Sequence, residues 1–89
     1  MNTICLLHSR ETGEMAGVAK DGKYNFSAMK LKQPSNQGID GSGLVKLEVE
    51  EANTNKIIIS YDRSWNIQPQ AQDEIEVYET IVKFLKGHK

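Results

Sequence analysis

Eighty-nine residues, 38% hydrophobic and 26% charged, describe one small globular domain, and 11 Lys and Arg against 12 Asp and Glu leave a net charge of −1. That balance is not the basic one by which nucleic-acid binders usually announce themselves, and a single cysteine, Cys5, excludes both an intramolecular disulfide framework and zinc held by several thiolates. A chain this short buries only about 60–65% of its unfolded surface, which is enough for one modest core.

The apolar run Ile4-Cys5-Leu6-Leu7 is too short for a secretion signal and has no basic residue ahead of it. No segment approaches the roughly 20 apolar residues of a membrane span. The expected compartment is therefore the cytoplasm, with no membrane partner.

Residues 3–9 are rich in β-favouring side chains and read as a first strand, closed by a turn at Glu11-Thr12-Gly13. Residues 15–20 form a weaker strand, in which Gly17 packs nothing and marks a bulge. Asp21-Gly22 is a strong hairpin signal, because both residues tolerate the positive φ of a type I′ turn. In residues 23–31, Tyr24, Phe26 and Ala28 share one face while Lys23, Asn25 and Ser27 share the other, and the phase breaks at Met29.

Residues 33–43 carry two adjacent turn clusters and read as a mobile loop, the natural place for a binding contact made by backbone. Val45, Leu47 and Val49 alternate with Lys46, Glu48 and Glu50, as in a strand with one wet face. Residues 51–55 turn the chain. Ile57-Ile58-Ile59 then predicts a central strand covered on both faces, after which Asp62-Arg63-Ser64-Trp65 leaves the sheet.

The spacing predicts a helix over residues 70–86. Asp73 with Glu76 fits a capping pair, Lys83 and Lys86 sit in the last turns, and Gly87 stops it. Ala71, Ile75, Tyr78, Ile81, Val82 and Leu85 fill one side, and Val77 and Phe84 extend it to nearly half the circumference. A surface helix typically shows a stripe nearer 100°. Two readings follow. Either a curved sheet buries the whole arc, or Val77, Ile81 and Phe84 are left to meet a partner, most simply a second copy across a two-fold axis.

Motifs for chemistry are sparse. Cys5 and His8 have a spacing that strand alternation would send to opposite faces, so no metal site is expected. His88 is the only other histidine, and Glu48/Glu50 and Glu74/Glu76 read as solvated carboxylates, so neither a nucleophilic triad nor an acid–base pair is assembled. The glycine-rich stretch at 38–43 lacks the Lys-Ser/Thr and the following helix of a phosphate loop. No cofactor is expected.

The aromatic residues admit two roles. Tyr24, Phe26, Tyr61 and Trp65 could stack unpaired bases while Lys23, Lys30, Lys32 and Arg63 meet phosphates, or the aromatics could fill the core beneath the helix. Strands followed by one amphipathic helix resemble the layout of several small domains, among them single-stranded nucleic-acid binders that dimerise through that helix.

The sequence thus predicts a single α+β domain over residues 1–89: an antiparallel sheet of four to five strands with one C-terminal amphipathic helix packed on one face. The first functional expectation is a non-enzymatic interaction module, a regulator or inhibitor that docks on another macromolecule and forms a homodimer. The alternative is single-stranded nucleic-acid binding.

Overall fold

A computed structural model describes residues 4–10 and 13–87; Thr3, the Glu11-Thr12 part of the first turn and His88 lie outside them. Six antiparallel strands follow one another as a meander: β1 (Ile4–Ser9), β2 (Glu14–Ala19), β3 (Tyr24–Lys30), β4 (Leu44–Glu51), β5 (Ile57–Asp62) and β6 (Trp65–Ile67). One helix, α1 (Gln72–Gly87), packs on one face, giving the expected α+β class with one or two more strands than expected. The additional strand is β6. Its three residues are too few to show any periodicity, and Arg63 adopts a left-handed φ of 63° that turns the chain straight back onto β5.

The β2–β3 turn forms as its sequence dictates. Asp21 and Gly22 take φ values of 57° and 87°, and the Lys23 N–H donates to the Lys20 carbonyl at 3.2 Å. This fixes the register Ala19↔Tyr24, Gly17↔Phe26 and Met15↔Ala28, which sends every second side chain of β2 and β3 toward the helix. Continuing across the sheet, Phe26↔Val49↔Ile59 and Ala28↔Leu47↔Tyr61 complete the inner face. Val77, Ile81, Val82 and Leu85 of α1 close over it.

Local expectations are corrected at Gly17 and in the isoleucine run. β2 does not bulge at Gly17. Gly17 does mark the place of an irregularity, but the extra residue is in β1, between Leu6 and His8 opposite the Gly17–Ala16 step, and Gly17 faces the ring of Phe26. A Cβ at Gly17 would stand 2.4 Å from the Cys5 carbonyl oxygen and 2.9 Å from the Phe26 ring, so glycine is there to admit the ring.

The isoleucine run is not a strand covered on both faces either. A register shift opposite Val49/Glu50 makes Ile58 the extra residue, so Ile58 and Ile59 are both buried while Ile57 stays 38% exposed on the uncovered face.

Residues 33–43 make two contacts with the core. Ile39, in a short 3-10 turn, is buried in the core cluster, and the Tyr61 Oη donates to the Gln37 carbonyl at 2.8 Å. An apolar side chain in the middle of the polar loop supplies the anchor.

The helix is tied at both ends. It begins at Gln72, where the Ile75 N–H donates to the Ala71 carbonyl. Glu74 Oε1 reaches back to the Gln70 N–H at 2.9 Å and the Ala71 N–H at 3.3 Å. Glu74 is thus the capping carboxylate, and the pair read at Asp73 and Glu76 sits two residues further along. At the other end Lys30 Nζ donates to the Leu85 and Lys86 carbonyls at 2.7 and 3.0 Å, placing a cation on the negative end of the helix dipole.

Two outcomes follow. Gly17→Ala gains up to about 1 kcal/mol from strand propensity but forces a methyl against a backbone oxygen and a core ring. Overpacking wins, and a net loss of about 1–2 kcal/mol is expected in denaturant unfolding. For Tyr24, burial first, and then the carboxylates of Asp73, Glu51 and Glu74, raise the phenol above its usual 10.0. The unfolded chain therefore ionises first, and the stabilisation is complete below pH 10.0 and is lost as pH rises through the folded value. Tyr24→Phe should flatten the alkaline fall of the melting temperature relative to the parent above about pH 10, and parallel curves would refute the assignment.

Candidate interaction surfaces

The helix strip assigned to a partner is the monomer's own core. Val77 and Ile81 are fully buried, and Phe84 is partly buried against the same cluster. Six strands and the inserted Ile39 offer more apolar surface than the smaller sheet the sequence suggested, and Val77, Ile81, Val82 and Leu85 are spent on it inside one chain, with Tyr78 and Phe84 partly buried beside them.

The stacking platform is dismantled by the same packing. Tyr24, Phe26 and Tyr61 are buried beneath the helix as core residues, and of the four aromatics only Trp65 reaches solvent, at 37% exposure. The four cations do not converge. In a meander successive turns alternate ends, so Lys23 in the β2–β3 turn lies at one end of the sheet while Lys32 and Arg63 lie at the other. Lys30 is engaged at the helix terminus.

What remains open is the sheet face opposite the helix. Its register forms three rows: Val18, Asn25, Glu50 and Ile57; Ala16, Ser27, Glu48 and Ser60; and Glu14, Met29, Lys46 and Asp62. Within these rows the carboxylates of Glu14, Glu48, Glu50 and Asp62 outnumber the one cation, Lys46. Small side chains at Ala16 and Ser27 leave a shallow depression of about 300 Å³, rimmed by His8, Glu14, Met29 and Lys46.

The β1 irregularity brings Cys5, opposite Val18, and His8, opposite Ala16, onto this one face. Strand alternation therefore fails as the argument against their sharing a metal. Among the described residues, no group of three or more His, Cys, Asp or Glu is placed to hold a metal ion. His8 Nε2 accepts the Arg10 Nε–H at 2.7 Å.

The two edges of the sheet differ. At the β6 edge Trp65 is held edge-on to Tyr61, with ring centroids 5.1 Å apart, and tilted against Tyr78 at 5.4 Å. Ile67, in the same short strand, is 41% exposed. At the β1 edge Leu7 is 67% exposed on a six-residue strand with no charged side chain. Neither Leu7 nor Ile67 is singled out by sequence reading, because an edge is defined by what fails to pair with it. The absence of charge along β1 is the one signal the sequence carries.

Because Phe84 belongs to the core, Phe84→Glu should cost about 2–3 kcal/mol of folding stability rather than dissociate a dimer. Thermal unfolding beside sedimentation velocity decides this: an unchanged melting temperature with a halved mass would restore the helix strip as an interface.

No helix among the described residues is long and apolar enough to cross a membrane. No curated protein and no solved structure matches the chain. Residues 10–86, nearly its whole length, match a family model described as a domain of unknown function, and the chain therefore belongs to the DUF7678 family.

Proposed function

We propose that this protein is a small non-enzymatic interaction module of the cytoplasm, a regulator or inhibitor that docks on a partner protein through the Trp65 corner of its sheet. The observation that carries the reading is Trp65 itself. It is more than one-third exposed yet fixed by Tyr61 and Tyr78, with exposed Ile67 two residues away. A tryptophan already immobilised before contact loses little side-chain entropy on binding, which is the property of an interface anchor. The non-enzymatic part rests on the shallowness of the depression on the open face.

Single-stranded nucleic acid is the competing partner class. It rests on the same Trp65 with Arg63 and Lys32 at that end of the sheet, against a net charge of −1 and an acidic open face. Far fewer phosphate contacts are on offer than salt-dependent binding requires.

The test compares parent, Trp65→Ala and Ile67→Asp as baits in extracts of the native host, with labelled single-stranded DNA and RNA titrated in parallel. A protein retained by the parent and released by both variants is the expected outcome. Partners that ignore both substitutions would sink the reading. Salt-sensitive nucleic-acid binding with quenching of Trp65 would replace it.

A further inference from the structure

The edge farthest from Trp65 carries a second surface. Among the described residues β1 pairs with β2 on one side only, which leaves the backbone N–H and C=O groups of its other side without a strand partner. Natural sheets protect such an edge with charges, proline or extreme shortness. β6 is short, at three residues, but β1 has six, with neither a charge nor a proline in Ile4-Cys5-Leu6-Leu7-His8-Ser9. Its one safeguard is the irregularity between Leu6 and His8, which limits the length of ladder it can offer and leaves Leu7 67% exposed.

We propose that β1 is a self-association edge, on which two copies of this chain pair β1 to β1 in antiparallel register about a two-fold axis near Leu6.

Charge selects the second copy and this geometry. An uncharged strand laid against itself brings no like charges together. The alternative two-fold contact, open face to open face, would press Glu14, Glu48, Glu50 and Asp62 against their own copies. An unpaired edge asks for an extended strand, and Ile, Cys and Leu favour that conformation in both partners. The resulting sheet would run through twelve strands, from six in each copy, with the two Trp65 corners at its far ends. Such a pair would meet two partner sites at once. The inference does not rest on the Trp65 reading, because β1 and β6 are opposite edges and each is altered without touching the other.

A short edge-to-edge ladder buries little surface, on the order of 1,000 Å² or less, so the pair belongs with weak, concentration-dependent assemblies. Sedimentation equilibrium up to about 300 μM should show the parent moving from monomer to dimer, with Leu7→Lys weakening the association at least about tenfold. Leu7 is a surface residue, and circular dichroism verifies that the variant keeps its fold.

Cys5, the sole cysteine, gives a readout on the unaltered protein. Near the axis the two Cys5 Cα atoms would stand within about 10 Å, given strands about 4.8 Å apart. A short bis-maleimide should then produce covalent dimers of the parent that a large excess of unlabelled monomeric carrier protein does not suppress. A parent that stays monomeric at the highest concentration overturns the proposal and leaves β1 to a foreign strand. A dimer that is indifferent to Leu7→Lys, or that yields no Cys5 cross-link, overturns it by placing the interface elsewhere. Should Leu7→Lys fail to fold, the parent's mass and cross-link decide the matter alone.

Discussion

Everything in this molecule depends on sealing one face of a six-stranded meander with a single helix. Without α1 the inner side chains of β3, β4 and β5, among them Phe26, Leu47, Val49 and Ile59, would face water together. Each is worth roughly 1.5–3 kcal/mol when buried. No second helix shares the work among the described residues, so α1 must cover as much surface as it can. That is why its apolar arc is wide and why Val77 and Ile81 have nothing left for a partner. The polar ties serve the same end. Lys30 reaches from β3 to the last carbonyls of the helix and Glu74 turns back on the first amides, so the seal is fixed in position along its axis.

Covering one face leaves the other uncovered, and the uncovered face is acidic and lined by small side chains at its centre. It offers no apolar platform and no cluster of cations. The strands left without a second neighbour lie at the rim of the sheet, where a meander necessarily ends in two edges. One edge is a short strand carrying a clamped tryptophan, and the other is a longer strand without charge. These two rims stand at opposite ends of the strand order.

Much of this was legible residue by residue. The strand alternation of Tyr24, Phe26 and Ala28, the left-handed Asp21-Gly22 turn, the half-wet strand of β4 and the helix within two residues at each end all follow from local preferences, which act over a few bonds. What misled was each position where a local rule was overridden at long range. Gly17 looked like a bulge because a strand glycine usually has nothing to pack, whereas here the ring of Phe26 on the next strand needs its space. Ile57 looked buried because three isoleucines in a row suggest two covered faces, until a register shift turned two of them inward. Ile39 sat unnoticed in a polar loop because one apolar residue has no period.

The sequence by itself determined the class of the fold, the C-terminal helix, the alternation of β3 and β4 and the absence of an intramolecular disulfide framework, because these depend on composition and on spacing along the chain. Only the tertiary structure decided what lies on the outside. Whether Tyr24, Phe26 and Tyr61 were a platform or a core, whether the helix had apolar surface to spare, and whether Cys5 and His8 share a face all turned on which strands were neighbours and where the ladder slipped. Exposure belongs to the assembled surface. A side chain acquires it only when every other segment has taken its place.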